Sequence, residues 1–273
     1  MTDSAGPLFS ELLDIMRRLR GPDGCPWDRE QTRASLKAYL IEEAYEVLQA
    51  LDGDDPRALA EELGDLLLQV VFHVQVAVEL GEFAMPDVLR RLVDKLVTRH
   101  PHVFGDTRVG TPGEALAQWE AIKSRQAAAA GSARSVLDGV PRALPALLRA
   151  QRLASKAARV QFDWPDANAA WGKVEEEMRE TADTLASGDR TRLREELGDV
   201  LFSLVNVARL AGLDAEDALQ AANEKFRRRF TAMEAELAAR GASVHDASRE
   251  ELERSWEATK ARERDSVAGE RAR

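Results

Sequence analysis

Apolar residues recur at spacings of three and four along most of the chain, which is the period of an amphipathic helix. In one predicted helix pair, a turn at 52–56 precedes a helix over about 57–80. The same arrangement recurs with a helix over about 170–185 and a turn at 187–189, followed by a helix that ends near residue 211. No alternating pattern bounded by hairpin turns indicates a strand. The chain is therefore predicted to be all-α.

An acidic pattern occurs twice on these helices, with an offset of 134 residues. Each copy has an E-E-x-x-E segment before the turn and an E-E-L-G-D segment after it. The repeated residues are Glu43, Glu46, Glu62 and Asp65 in the first copy and Glu177, Glu180, Glu196 and Asp199 in the second. Residues three apart share a helix face, and a short turn makes neighbouring helices antiparallel. Each hairpin is therefore predicted to bring four carboxylates together.

The duplication predicts two related helical domains in tandem. We expect an N-terminal domain over 8–125 and a C-terminal domain over 137–262. The segment 126–136 between them is small and polar, as is typical of a linker. The charged tail over 263–273 is expected to be disordered.

The acidic clusters indicate a site for divalent cations. Carboxylates without nearby histidines suit hard cations, so Mg²⁺ is the first choice and Mn²⁺ the expected substitute. A single acidic pair would usually lie on a solvated helix face. Here, however, Glu62 and Asp65 lie in the apolar segment LAEELGDLLLQVVF, and buried carboxylates need a partner or a metal. This context favours metal ligands over a solvated face.

Basic and aromatic residues also recur, each pair being one helical turn apart. The pairs are Lys95 with Arg99, Lys225 with Arg229, Trp119 with Lys123, and Trp256 with Lys260. Taken alone, the basic pairs would be ordinary surface charges. Beside a metal site they could hold phosphate oxygens that the metal does not cover. The tryptophans could stack on a base or simply close the helical bundle.

Charge and composition limit the possible partners. The formal net charge of −10 argues against polymeric nucleic acid and anionic membranes, but bound metal would still permit a small phosphorylated substrate. The single cysteine, Cys25, excludes an intrachain disulfide. The most apolar stretch, 66–80, is too short to span a bilayer. We therefore expect a cytoplasmic protein with no membrane and no polymeric nucleic acid as partner.

Several motifs together resemble one family. They are GCPWD (24–28), YLIEEAYEV (39–47), EELGDLLLQVVF (61–72), RHPHVF (99–104), WEAIK (119–123), LPALLRAQ (144–151), FDW (162–164), EELGDVLF (195–202) and NEKFRRRF (223–230). From about residue 8 to 260 the chain resembles the MazG family of nucleoside triphosphate pyrophosphohydrolases in its two-domain bacterial form. The resemblance implies a dimer-forming α-helical enzyme, its bundle-like core completed on dimerisation. Such an enzyme uses Mg²⁺ to convert a nucleoside triphosphate and water to the monophosphate and pyrophosphate.

The resemblance also implies roles for residues of the second copy. Its metal ligands would be Glu177, Glu180, Glu196 and Asp199. Its nucleotide contacts would be Lys173, Arg192, Glu195, Lys225, Arg229, Trp256 and Lys260. Among these residues, Glu195, Glu196, Asp199, Lys225 and Arg229 are the expected catalytic residues. Glu195 would orient or deprotonate the attacking water, and the basic pair would offset charge on the leaving pyrophosphate.

Two departures from the family pattern affect these expectations. Arg192 stands where the family commonly has lysine. The first copy has Tyr39 and Val93 at the positions of Lys173 and Asn223. Activity is therefore expected mainly in the C-terminal domain. The alternative is a module that senses or binds nucleotide without hydrolysis, above all in the N-terminal domain.

Overall fold

The computed structural model describes residues 5–129 and 135–271, which form helices and connecting turns. It divides into two compact units, Met1–Gly131 and Ser132–Arg273. No strand occurs in these two ranges, so the predicted all-α class and the tandem helical arrangement are confirmed. Among the helices that the structure describes, none combines the length and the hydropathy that a membrane span requires.

The first unit contains seven of the described helices, which we number in chain order. They are α1 (Ala5–Leu19), α2 (Pro26–Glu30), α3 (Leu36–Leu51), α4 (Pro56–Glu79), α5 (Met85–Arg99), α6 (Pro101–Phe104) and α7 (Pro112–Ala129). Its core forms where α1, α3, α4 and α5 contribute apolar side chains. Met16, Leu36, Val71, Phe72 and Met85 are buried in one cluster.

The α3–α4 hairpin follows from local signals around its turn. Pro56 lies in the first turn of α4, where its missing N–H costs little. The side chain of Asp55 caps the same helix by accepting a hydrogen bond from the Arg57 backbone N–H at 2.9 Å. The predicted helix over about 57–80 is therefore observed as Pro56–Glu79.

The second unit contains the remaining described helices. They are α8 (Ala146–Ala158), α9 (Ala167–Ser187), α10 (Arg190–Leu210), α11 (Ala215–Ala239) and α12 (Arg249–Arg271). Helices α9 and α10 pack along each other, α8 packs against α10 and α11, and α12 packs against α11. Ala170, Val174 and Val205 are buried in the α9–α10 hairpin.

Helices α7 and α12 extend into the segments predicted as linker and tail. Helix α7 continues to Ala129, so the first residues of the predicted linker are helical, and 130–134 lie outside the described residues. Helix α12 continues to Arg271 rather than ending before the tail predicted to be disordered at 263–273. Glu263 accepts hydrogen bonds from two arginines of α11, and such contacts between helices are not visible in composition. Residues 272 and 273 lie outside the described part.

Candidate active site

A tight turn places the acidic segments of α9 and α10 side by side. Gly188 ends α9 in the left-handed conformation, with φ of 77°, which glycine adopts without strain. Asp189 then caps α10 by accepting hydrogen bonds from the backbone N–H groups of Thr191 and Arg192, at 3.0 and 3.1 Å. The two helices consequently run antiparallel, as predicted for this hairpin.

Three carboxylates of the second copy meet on this hairpin. Glu177, Glu196 and Asp199 each place one oxygen within 4.8 Å of the others. Glu177 and Glu196 are only 6% and 8% exposed, whereas Asp199 is open to solvent. Glu180, the predicted fourth ligand, is exposed and lies outside this group. We call Glu177, Glu196 and Asp199 the C-terminal cluster.

Two basic side chains lie directly on the C-terminal cluster. Lys173 Nζ is 2.6 Å from Glu177 Oε1 and 2.8 Å from Glu176 Oε1. Hydrogen bonds to Glu176 and Glu177 raise the pKa of Lys173, and Lys173 in turn lowers the pKa of Glu176. Arg192 Nε lies 3.1 Å from Glu196 Oε1. Lys173 and Arg192, two of the nucleotide contacts that the family resemblance implies, thus lie within hydrogen-bond distance of carboxylates that could hold metal.

The first copy forms a corresponding group on α3 and α4. Glu43, Glu62 and Asp65 place carboxylate oxygens within 4.8 Å of one another, and we call them the N-terminal cluster. Burial is the main cause that raises the pKa of Glu43, and the charges of Asp65 and Glu46 raise it further. Burial and the charges of Glu46 and Asp65 likewise raise the pKa of Glu62. Glu46 thus lies close enough to interact with this cluster, although it is outside the group of three.

Of the remaining predicted contact residues, Lys225 and Arg229 lie on α11, Trp256 and Lys260 lie on α12, and Glu195 lies on α10 beside Glu196. Arg229 Nε donates to Glu263 Oε2 at 2.5 Å, and Lys260 Nζ lies 2.6 Å from Glu257 Oε1. Lys225 and Glu195 are exposed. Within residues 135–271, no ion pair or hydrogen bond joins Lys225, Arg229 or Lys260 to the three carboxylates.

Trp256 packs against an aromatic neighbour rather than standing free. Its ring lies 5.3 Å from that of Phe226, which also stacks on Phe230 with 5.9 Å between ring centroids. In the first unit Trp119 is placed differently, because the Arg99 guanidinium lies 5.3 Å from its ring centroid and the His100 ring lies 4.8 Å away. Both tryptophans therefore pack within their units, and each lies beside the helix that carries the basic pair.

Two further side chains contact predicted site residues and were not predicted from the sequence. One is Glu263, which accepts hydrogen bonds from both Arg228 and Arg229. The repeat could have indicated it, because Gln126 is the corresponding residue at the offset of 137 that relates the two tryptophans. The other is Gln69, which donates from Nε2 to Glu43 Oε1 at 3.4 Å.

Comparison with known proteins also divides the chain into two copies of one domain. The model of the MazG nucleotide pyrophosphohydrolase domain matches residues 31–104 and 168–233, and each match contains one carboxylate cluster with its basic pair. This chain belongs to the MazG family. The predicted family resemblance is therefore confirmed.

Three relatives match along 94% of this chain and so extend the match to both units. The chain is 45% identical to the nucleoside triphosphate pyrophosphohydrolase/pyrophosphatase MazG of Thermotoga maritima, covering 94% of this chain and 97% of that protein. It is 46% identical to the nucleoside triphosphate pyrophosphohydrolase of Escherichia coli K12, covering 94% of this chain and 98% of that one. It is also 46% identical to the uncharacterized protein YabN of Bacillus subtilis, of which it covers 53%.

Proposed function

We propose that this chain, a MazG-family nucleoside triphosphate pyrophosphohydrolase, cleaves nucleoside triphosphates between the α and β phosphates. The products would be a nucleoside monophosphate and pyrophosphate. The proposal is carried by the contacts of Lys173 and Arg192 with Glu177 and Glu196. Because groups suited to phosphate lie against groups suited to metal, triphosphate and cation would bind at the same place. The names of the full-length relatives support the same substrate class.

The donor set of the C-terminal cluster fits a hard divalent cation. Its three members offer carboxylate oxygens and no nitrogen or sulfur, which suits Mg²⁺, with Mn²⁺ as substitute. Glu177, Glu196 and Asp199 would hold the cation, and Glu180, three residues after Glu177, would add a fourth carboxylate. When bound, the cation supplies neutralisation of phosphate charge and a lowered pKa for a bound water.

The side chains around the cluster would carry out the proton and charge transfers. Glu195 is exposed beside Glu196 and would accept the proton of the attacking water. The water oxygen forms a bond to the α phosphorus while the bond from that phosphorus to the α–β bridging oxygen breaks. Lys225 and Arg229 would stabilise the charge that develops on the leaving pyrophosphate, with Lys260 as a further cation. Trp256 would lie against the base.

A homodimer is part of this proposal. The α9–α10 hairpin exposes large apolar side chains, among them Met178 (56% exposed) and Leu201 (53%). The first unit exposes Leu67 on α4, at the position equivalent to Leu201. Exposed apolar residues on a packed hairpin are typical of an association surface. Pairing two copies through this face would complete a bundle of four helices, as the resemblance implies.

The activity is tested by conservative changes to the C-terminal cluster in the full-length protein. Glu196→Gln and Asp199→Asn should each lower the rate of pyrophosphate release at least 100-fold, because they remove cation ligands. Glu175→Gln, on the same helix as Glu177 but exposed, is the matched control and should retain the rate. Chelation of divalent cations should also stop the reaction. Turnover unchanged in both cluster variants would refute the C-terminal site.

A second function is favoured for the N-terminal unit, namely binding of nucleotide without hydrolysis. The positions equivalent to Lys173 and Arg192 are Tyr39 and Ala58, so this copy lacks both cations that lie on the C-terminal cluster. It retains Lys95, and its Arg99 lies beside Trp119. In the Glu196→Gln protein, saturable nucleotide binding that Glu62→Gln weakens and that is not followed by pyrophosphate release would support this function. Release that Glu62→Gln then abolishes would contradict it.

A further inference from the structure

The two carboxylate clusters differ in the charges that surround them. In the C-terminal cluster, Lys173 and Arg192 are ion-paired with the two most buried carboxylates. No Lys or Arg within residues 5–129 forms an ion pair with Glu43, Glu62 or Asp65. The N-terminal cluster therefore holds neighbouring negative charges without a counter-ion from its own unit, an arrangement that favours binding of a cation.

A buried amide gives independent evidence for a ligand at the N-terminal cluster. Gln69 is only 6% exposed, and its Nε2 donates to Glu43 Oε1 at 3.4 Å. Its Oε1 has no hydrogen-bond partner in the part of the chain that the structure describes. An unpaired buried acceptor destabilises the fold, and an amide oxygen is a usual ligand of hard cations. The equivalent residue of the second unit is Ser203, so this amide belongs to the first copy alone.

We propose that the two clusters load divalent cations in different ways. The N-terminal cluster, with Gln69 as an additional oxygen donor, binds a divalent cation in the absence of nucleotide. The C-terminal cluster takes up its cation together with the triphosphate, a part of the proposal that rests on the function proposed above. Until phosphate oxygens draw Lys173 and Arg192 away, these side chains compete with the cation for the carboxylates. The N-terminal unit would thus keep its metal between turnovers of the C-terminal site.

The test is a titration of the full-length protein with Mn²⁺, in which electron paramagnetic resonance measures the free ion. Without nucleotide, we expect one class of tight sites, which Glu62→Gln weakens at least tenfold and Glu196→Gln leaves unchanged. Addition of ATP with a methylene group between the α and β phosphates should create further Mn²⁺ sites, which Glu196→Gln removes. Circular dichroism of each variant shows whether it has folded. A nucleotide-free site that depends on Glu196 and not on Glu62 would overturn the proposal.

A charge inserted into the N-terminal cluster gives a second test that does not remove a ligand. Ala58→Arg reproduces the position of Arg192, four residues before Glu62, and should weaken nucleotide-free Mn²⁺ binding at least tenfold. Ala60→Arg adds the same charge to the same helix on the opposite face and is the matched control. Equal effects of the two variants would contradict the proposal. Pyrophosphate release is measured in parallel. It tests the proposed hydrolase activity, whereas Mn²⁺ binding tests the proposed order of cation loading, so failure of one proposal can be told from failure of the other.

Gln69→Leu tests the amide itself. It replaces the amide, and with it the oxygen donor, by an apolar side chain of similar size in a buried position, so the fold should be retained. We expect Mn²⁺ affinity without nucleotide to fall about three- to tenfold, whereas Gln69→Glu, which restores an oxygen donor, should recover it. Unchanged affinity in Gln69→Leu would exclude Gln69 as a ligand.

Discussion

Arg229 Nε donates to the Glu263 carboxylate at 2.5 Å, whereas the equivalent arginine of the first unit, Arg99, donates to the neutral amide of Gln126 at 3.2 Å. The repeat thus conserves the position of this contact and changes its charge. Since Arg229 is proposed to hold the leaving pyrophosphate, Glu263 would compete with phosphate for the same guanidinium. This competition makes Glu263 a point at which nucleotide affinity can be altered.

Glu263→Gln is therefore expected to lower the KM for nucleoside triphosphate about three- to tenfold with little change in kcat, since it keeps an acceptor and removes the competing charge. Steady-state kinetics of pyrophosphate release measure both parameters. The reciprocal change in the first unit, Gln126→Glu, should leave both unchanged. A rise in KM in Glu263→Gln, in place of the expected fall, would show that Glu263 positions Arg229 and does not compete with substrate.

Substitutions of Arg192 show whether a positive charge at this position is enough for binding of nucleoside triphosphate beside the C-terminal cluster. Its side chain is mostly exposed, and only Nε reaches Glu196, at 3.1 Å. Because a single contact does not need the planar fork of arginine, Arg192→Lys should retain KM within about threefold. Arg192→Ala should raise KM about tenfold through loss of a phosphate contact. Steady-state kinetics of both variants measure KM. An equal rise in KM in the two variants would mean that the geometry of the guanidinium group is required.

Much of this arrangement follows from local sequence signals. The hairpins were predictable because Asp55, Pro56 and Asp189 set the ends of helices through contacts within a few residues. The helical spacing also predicted which carboxylates would share a face. The continuation of α12 was not predictable, because Glu263 meets its arginine partners on another helix.

The grouping of the carboxylates shows the same limit. Spacing predicted four in each copy, but the structure groups three, because rotamers and the packing of the facing helix decide which oxygens meet. The contact of Gln69 with Glu43 likewise joins two helices. The chemical class of the candidate site is thus predictable from sequence, whereas tertiary packing decides which carboxylate oxygens lie together.

A buried arginine links the stability of the first unit to pH. The Arg20 side chain is 5% exposed and pairs with Glu79 Oε2 at 2.6 Å, and hydrogen bonds from Arg20 are the main cause that lowers the pKa of Glu79. A carboxyl group whose pKa is lower in the folded state stabilises the fold above its unfolded pKa, near 4.5, and loses that contribution as pH falls below it.

Glu79→Gln should accordingly lower the free energy of unfolding at pH 7 by about 1–2 kcal/mol, after discounting for the partial exposure of Glu79. Denaturant unfolding of variant and wild type across pH 3–7 measures the difference, which should shrink below pH 4.5. Glu11→Gln, on an exposed position of α1, is the control. A difference that stays constant with pH would rule out the ion pair as its source.

The exposed apolar face of α9 and α10 predicts association. Leu201→Glu places a charge in this face, where burial against a partner copy would be unfavourable. We expect sedimentation velocity to show a shift from dimer to monomer, with loss of pyrophosphate release at the same protein concentration. Leu8→Glu adds the same charge at an exposed leucine of α1 and should leave the dimer intact. An unchanged dimer in Leu201→Glu would place the interface elsewhere.

The contacts of Arg229 lead to a prediction about which copy of a dimer supplies this arginine to each C-terminal cluster. No hydrogen bond or ion pair in residues 135–271 connects Arg229 to Glu177, Glu196 or Asp199, so in a dimer the arginine can serve the carboxylates of the partner. Glu196→Gln and Arg229→Ala should each be inactive alone. After mixing and exchange of subunits, a mixed dimer joins intact carboxylates of one copy with Arg229 of the other. Since half the dimers would be mixed, with one complete site each, activity should recover to about a quarter of the wild-type value. A mixture that stays inactive although subunits have exchanged would show that each copy uses its own Arg229.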